Sequence, residues 1–531
     1  MPLRPAALLK RSLIFVHRWL GVALSLVFLL WFESGIVMMY WSFPSVAQAD
    51  RLQRAPALVP ERIAVSAERA FAALGREGAP AQVRLTSFDG RPVYRFAGGG
   101  GRGRGGPGRG RGGGGTRVFA DTGAEVGEVD QAMVDRAAAV WAGRPAMEAR
   151  KALVEEVDQW TVGGAGRGQQ PLYKYSWPDG QQAYVSGQTA DVVQYTTTSS
   201  RFWAYLGAIP HWFYFTPLRK HGREWFSVVV WSSLVGTIAA LMGVVIAVWM
   251  YSPRQRYRHA GTPTSIPYKG WKRWHTITGL VFGLVTTTWA FSGLLSMGPF
   301  PIMQRLTELT VPSADEEGAD VDLEPALRAG PLPLSSYEAK PPAMALASVR
   351  EFQAKELEYV SYDGQPHYLA TNGRGETRVI PVHGEPRPGF DAEELMSRVR
   401  QRAGDGLAEL TLIHEYDAYY RDRLRRRPLP VIYARMSDAV GTRYYIDPKT
   451  ATIVETYSAR EWVGRWLYNG LHSLDFPWLY KYRPLWDIVV ITLMLGGTAI
   501  CVTSLMLAWR VLARKLAIVW AGLQPPEEDL A

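Results

Sequence analysis

The chain has 531 residues, 47% hydrophobic and 20% charged, with 59 Lys and Arg against 49 Asp and Glu for a net charge of +10. At about 150 residues per domain that length calls for several structural units rather than one core. The single cysteine, Cys501, excludes intrachain disulfides, Cys-ligated zinc or iron–sulfur centres and haem attached through Cys-x-x-Cys-His, so any cofactor must be held by His or oxygen ligands.

In chain order, the first feature is an apolar stretch from Arg18 to Asp50 whose only charge is Glu33; three more, Trp225 to Pro253, Trp274 to Gln304 and Ile488 to Trp509, carry none. Each exceeds the ~20 residues that cross a bilayer, and the 20 Trp and 25 Tyr fit the aromatic belts of such a protein. Lys10, Arg11 and Arg18 precede the first stretch, a basic run from Arg254 to Arg273 separates the second and third, and Arg510, Arg514 and Lys515 follow the fourth. Excess positive charge marks cytoplasmic ends, so both termini are expected in the cytoplasm and the two long loops outside it. Ala47-Gln48-Ala49 matches a signal-peptide cleavage site, but the apolar stretch before it is too long for one.

Sliding the sequence on itself shows a tandem duplication. His17-Arg-Trp-Leu-Gly21 aligns with His275-Thr-Ile-Thr-Gly279, and the match runs on through Trp31/Trp289, Ser34/Ser292, Gly35/Gly293 and Met39/Met297 at an offset of about 258. A second block aligns His211/His472, Phe215/Phe476, Lys220/Lys481, Trp225/Trp486 and Gly236/Gly497. Each copy reads as span, long loop, span, entering and leaving the membrane in the same sense. The organisation expected is an N-terminus and first span over 1–42, a loop domain over 43–200, an approach segment and second span over 201–253, a cytoplasmic loop over 254–273, a third span over 274–298, a second loop domain over 299–460, an approach and fourth span over 461–510, and a tail over 511–531.

The loops read as small α+β domains. Helical stretches are expected near Ser66 to Gly75 and Asp391 to Gln401, with short strands turning at Asp89-Gly90 and Asp363-Gly364. The first loop carries a Gly-rich insert, residues 98–115, with Arg102, Arg104, Arg109 and Arg111. It reads as a loop tip, or as a lid that attracts anions; an RNA-binding role is not expected outside the cytoplasm, and no nucleic acid is a predicted partner. The run Arg421 to Arg427 likewise reads as a solvated loop, the alternative being a site.

Of nine histidines, four form two repeat-related pairs: His17 with His275 at the cytoplasmic ends of spans one and three, and His211 with His472 just before spans two and four. Imidazoles presented from opposite sides of a two-fold axis suit the two axial positions of a haem iron. A lone membrane-interface histidine is more often a polar anchor, and from the residues alone both readings stand. His221 rivals His211 but has Tyr482 as its repeat partner; His414 reads as a substrate contact or a surface histidine. Glu33, an intramembrane carboxylate, is a functional candidate by default or an interfacial anchor.

With His-Arg-Trp-Leu-Gly, Trp-His-Thr-Ile-Thr-Gly and the two Trp-x-x-Ser-Gly span ends in hand, the sequence resembles the PepSY-associated transmembrane family. The resemblance implies a bacterial inner-membrane α+β protein with four transmembrane helices and two periplasmic PepSY-like domains, similar to ferric-siderophore reductases. It further implies two b-type haems, with His17, His275, His211 and His472 as axial ligands. The function implied is an oxidoreductase of iron uptake that passes electrons from a cytoplasmic or quinol donor to a periplasmic ferric chelate or siderophore. The absence of Rossmann and P-loop fingerprints places the donor site on another molecule. The alternative is a non-enzymatic PepSY membrane sensor or protease-regulating protein, in which the four histidines are anchors.

Overall fold

A computed structural model describes residues 5–76, 79–97, 115–298, 322–328 and 330–523. The insert's arginines, and the tail beyond 523, lie outside the described residues.

Four helices are long and apolar enough to cross a membrane: span 1, Pro5–Met38; span 2, Gly222–Met250; span 3, Gly270–Ser296; and span 4, Leu485–Leu523. Spans 1 and 4 run past the uncharged windows read from sequence, because Lys and Arg are good helix formers and their heads settle on interfacial tryptophans. Lys10 lies over Trp249 at 5.6 Å and Lys515 over Trp19 at 4.8 Å, contacts of the kind that fix a span's depth. Each span packs against two others in the order 1, 2, 3, 4 and back to 1, so spans 1 and 3 face each other across the bundle. Glycines set how closely the helices approach: a Cβ on Gly497 would lie 2.4 Å from the Phe32 ring, and one on Gly496 would lie 2.3 Å from that of Phe282. Aromatic side chains therefore sink into span 4 where it has no side chain of its own.

Between spans 2 and 3 the chain makes a short hairpin, Tyr257–His259 with Thr262–Thr264. Its turn residues Ala260 and Gly261 both have positive φ, 47° and 82°, as a two-residue hairpin connection requires. From sequence the segment reads only as a cytoplasmic loop.

The remaining strands lie at the opposite end of the bundle. In the first long segment are β1 (Gln82–Phe88), β2 (Arg91–Ala97) and β3 (Thr116–Phe119), then β4 (Arg150–Leu153), β5 (Leu172–Ser176), β6 (Gln182–Ser186) and β7 (Val192–Thr196). Numbering the strands of the described residues on past the hairpin, whose strands are β8 and β9, the second segment holds β10 (Glu356–Tyr362), β11 (Gln365–Thr371) and β12 (Thr377–Pro381), then β13 (Leu407–Ile413), β14 (Val431–Met436), β15 (Arg443–Asp447) and β16 (Thr452–Tyr457). Asp89-Gly90 and Asp363-Gly364, all at positive φ, close the β1–β2 and β10–β11 hairpins as their sequences predict. Read from sequence as two domains, the segments share one antiparallel sheet of order β12-β11-β10-β1-β2-β3, joined where Arg84 faces Glu358 and Leu85 faces Leu357.

Strand alternation divides this sheet's side chains between two cores. Leu85, Tyr94, Phe96, Leu357 and Tyr368 pack on one face under short helices that include Ala67–Ala72, capped by Ser66. On the other face, Val93 and Phe119 meet helix Gln131–Ala142, which is backed by β5 to β7. Val360 and Val379 meet helix Ala392–Ala403, backed by β14 and β15. Burying each such side chain stabilises the fold by about 1.5–3 kcal/mol, so the joined sheet is a stable platform above the spans. Phe96 pairs with Thr116 at the base of the Gly/Arg insert, so the hairpin is closed on both sides of that segment.

Candidate functional site

The four repeat-related histidines come together as two pairs at the two ends of the bundle. His17 on span 1 and His275 on span 3 have ring centroids 6.2 Å apart, inclined by 33°. His211, on the short helix Ala208–Trp212, and His472, on Leu471–Ser473, are 6.1 Å apart at 68°. The first pair lies on the side of the β8–β9 hairpin, the second on the side of the sheets.

Each ring is held by the same nitrogen. His17 Nδ1 donates to the Ala239 carbonyl of span 2 at 3.0 Å. His275 Nδ1 bonds Thr503 Oγ1 of span 4 at 3.0 Å, while that hydroxyl donates to the carbonyls of Ala499 and Ile500. His211 Nδ1 bonds Ser34 Oγ at 3.1 Å and the Trp31 carbonyl at 3.2 Å. His472 Nδ1 bonds Ser292 Oγ at 3.1 Å, and Ser292 donates to the Trp289 carbonyl. A carbonyl only accepts, and a hydroxyl whose proton is already given to a carbonyl must also accept. All four rings are thereby assigned as the Nδ1–H tautomer. Among the described residues every hydrogen bond they make uses Nδ1, which leaves the Nε2 lone pairs open to a metal; this is the usual arrangement of a metal-ligating histidine.

The spacing fits one metal per pair. Two imidazoles bound through Nε2 on opposite sides of a metal would have centroids about 6.2 Å apart, from ~2.0 Å for each metal–nitrogen bond and ~1.1 Å from nitrogen to ring centre. Among the described residues no group of three or more His, Cys, Asp or Glu is placed to hold a metal. Each pair thus brings two rings, whose Nε2 atoms make no hydrogen bond among the described residues, to within 6.2 Å of each other, centre to centre. Space is provided by glycine. Gly243 of span 2 admits the His17 ring, since a Cβ there would lie 2.8 Å from His17 Cε1, and Gly35 and Gly293 lie against His211 and His472. A Cβ on Gly279, one turn beyond His275, would meet nothing within 4 Å.

Ser34 follows His17 by 17 residues, and Ser292 follows His275 by the same number. At 1.5 Å per residue the two pairs are about 26 Å apart along the bundle. Phe32 and Trp289, both buried with ring centroids 5.8 Å apart, fill the space between with Phe28 and Met494. After each sheet-side histidine the chain turns through a bulky residue at positive φ, Phe213 at 52° and Leu474 at 48°. That conformation is costly for such residues and turns the chain sharply at the end of each short helix.

The other candidates lie elsewhere. His221 is exposed at the start of span 2, and His414 is exposed just after β13. Glu33 is also exposed and accepts a hydrogen bond from Thr498 at 2.9 Å, so it ties span 1 to span 4 outside both pairs. The 421–427 run is a solvated loop over 423–426, as expected, but it is tied down at both ends: Arg421 is ion-paired with buried Asp475 and Arg427 with Glu455, while exposed Arg423 donates to the Met38 carbonyl. Acidic partners that are remote in sequence draw Arg421 and Arg427 partly inward. Sequence reading missed the roles of Ala239, Thr503 and Gly243. Ser34 and Ser292 carried a signal in the repeated Trp-x-x-Ser-Gly.

Each four-stranded sheet also holds a Tyr–Asp pair. Tyr184 donates to Asp158 at 2.5 Å and Tyr445 to Asp417 at 2.8 Å. Burial alone would raise Asp158, but the Tyr184 hydrogen bond and Lys174 outweigh it and hold the carboxyl below its ordinary value.

The family model of the PepSY-associated TM region matches residues 14–510, and the chain belongs to that family. A comparison with curated proteins finds no match.

Proposed function

We propose that the chain is a transmembrane oxidoreductase that binds two b-type haems and passes electrons across the inner membrane to a ferric chelate. The observation that supports this reading is the pair of neighbouring histidines at each end of the bundle, with Nδ1 anchored and no hydrogen bond to Nε2 among the described residues. His17 and His275 would hold one haem, and His211 and His472 the other. When bound, the haems supply one-electron chemistry.

The protein's part is to fix ligation, depth and access. The Nδ1 partners fix each imidazole's tautomer and orientation, and electron density donated from a carbonyl or hydroxyl raises ligand basicity. Phe32 and Trp289 pack their rings into the bundle next to the sheet-side pair. The basic residues at the hairpin side, among them Lys10, Arg11, Arg254 and Lys515, support a cytoplasmic assignment of that side by the positive-inside rule. The sheets would then stand in the periplasm above the His211–His472 pair, where a ferric chelate or siderophore is reduced. The donor is a cytoplasmic reductant or a membrane quinol.

The test is a reduced-minus-oxidised spectrum of the protein purified from haem-replete cells. Low-spin b-type bands are expected, and they should be lost in part when either pair is broken. A colourless protein would favour the non-enzymatic sensor reading instead.

A further inference from the structure

The helix Thr198–Leu206 follows β7, the last strand of the first long segment, and Thr197 caps its start by accepting from the Ser200 backbone. Its sides differ. Ala204 is buried and packs with Trp160, Ile209 and Tyr184 of β6, and Arg201 turns back to the end of β7, donating to Thr196 Oγ1 at 3.0 Å. Phe202, Tyr205 and Leu206 follow the i, i+3, i+4 spacing of a single helix face, and they are exposed by 54%, 54% and 45%. Apolar area of this kind is disfavoured in water, and a contiguous patch of it marks a surface that another phase or molecule covers.

The contacts of the helix give its level. Gly207, which ends it, lies against the last turn of span 1, where a Cβ on Gly207 would be 2.9 Å from Val37 Cγ1. The Trp203 ring stacks on Trp41, just past the end of the same span, at 3.8 Å and 8°. Both contacts hold the helix beside the sheet-side end of a membrane-spanning helix, the depth at which hydrocarbon gives way to headgroups. Exposed aromatic side chains continue around that level: Tyr40 and Trp41 after span 1, Trp212 and Phe215 before span 2, and Trp462 and Trp478 in the other half. Tyr and Trp, apolar in body and polar at one edge, are enriched in this layer.

We propose that Thr198–Leu206 is an interfacial helix covered by the phospholipid leaflet on the sheet side, with Phe202, Tyr205 and Leu206 seated at the boundary between headgroups and acyl chains. Such a face buries itself about 5–10 Å into that boundary. The sheet β4–β7, packed on the inward side of the helix through Tyr184, is thereby docked on the membrane surface. Only Gly207 separates the lipid-seated helix from Ala208–Trp212, which bears His211. The docking is independent of haem.

The test reads depth at single positions of the full-length chain in phosphatidylcholine nanodiscs. Buried Cys501 is replaced by Ala, and a nitrobenzoxadiazole fluorophore is attached at Phe202→Cys or Leu206→Cys. Met147→Cys, at a site 90% exposed in the first long segment, is the water control, and Leu26→Cys, at an exposed site well inside span 1, is the bilayer control. The two helix probes should emit to the blue of the water control and be quenched most by lipids carrying a nitroxide on the headgroup or at acyl carbon 5, whereas the bilayer control is quenched most by carbon 12. Photolabelling of the unsubstituted chain by phosphatidylcholine with a diazirine near its headgroup gives a second reading. The peptide holding Phe202 to Leu206 should be labelled and the one holding Met147 should not. Helix probes quenched no more than the water control, with no label on that peptide, would overturn the proposal. Shielding of those probes from both lipid nitroxide and aqueous iodide would assign the face to a second copy or another protein, and overturns it equally.

Discussion

Ser34 Oγ accepts a hydrogen bond from His211 Nδ1 at 3.1 Å, joining residues 177 positions apart in sequence. The serine gives its own proton to span 1, so it can only accept from the ring. Ser34→Ala should therefore loosen the sheet-side pair without touching His17 and His275. Loss of such an outer partner typically costs 10- to 100-fold in metal affinity; the Trp31 carbonyl remains as an acceptor, which sets the expected loss near about tenfold. Haem titration of the variant checks this, and Ser292→Ala should behave alike through His472.

Glycine substitutions should separate the two pairs in the opposite direction. Gly243→Ala places a methyl 2.8 Å from a ring atom of His17, and a rigid ring cannot fold away, so overpacking of about 1–3 kcal/mol is expected. The hairpin-side haem should be lost while the sheet-side haem stays. Gly279→Ala meets no neighbour and should leave the melting temperature of the haem-free protein unchanged or higher, since Ala favours the helix by about 0.8–1.0 kcal/mol.

The Tyr–Asp pairs give a pH-dependent stability. Tyr184→Phe should destabilise the sheet region by about 1.5–3 kcal/mol at neutral pH, the range for a hydrogen bond to a charged group. Asp158 is held below its ordinary 3.8 in the fold, so its stabilising contribution is complete above 3.8 and fades as pH falls through the lower folded value. The gap between the wild type and Asp158→Asn, read by denaturant melts, should accordingly close on acidification below about 4. A gap that widened there would contradict the pairing.

Replacing residues 98–114 by a short turn should leave the sheet intact, because Phe96 and Thr116 are already paired and the corresponding β11–β12 connection closes with Thr371 opposite Thr377. Circular dichroism and melting temperature check this. If the insert attracts anions, its removal should slow reduction of an anionic ferric chelate at low salt and much less at 0.15 M, where screening acts over about 8 Å.

Much of this arrangement was legible in the sequence. Charge-free windows located the spans, Asp89-Gly90 and Asp363-Gly364 marked their hairpins, and repeated histidines stood out from neighbours that differ between the two halves. What stayed hidden depends on contacts between distant segments. Nothing local tells β1 to pair with β10 across more than 270 residues of chain. The acceptor for His17 is a main-chain carbonyl at Ala239, where the side chain carries no information about the bond. Arg421 and Arg465 look like surface charges until the fold shows Asp475 and the carbonyls that receive them.

Orientation can be read independently of any cofactor. A reporter active only outside the cytoplasm should work when fused after Asp121 or Thr371 and fail after Gly261, as expected if the hairpin side is cytoplasmic. Activity after Gly261 would invert the assignment and move the sheets to the cytoplasm.

The central claim is that each histidine pair holds one haem, and haem-to-protein stoichiometry in single variants tests it most directly. The wild type should carry about two haems per chain, on the assumption of one per bis-histidine site. His17→Ala or His275→Ala, and separately His211→Ala or His472→Ala, should each leave about one, with different spectra remaining in the two groups. Full retention in all four variants, or a wild type without haem, would contradict the account.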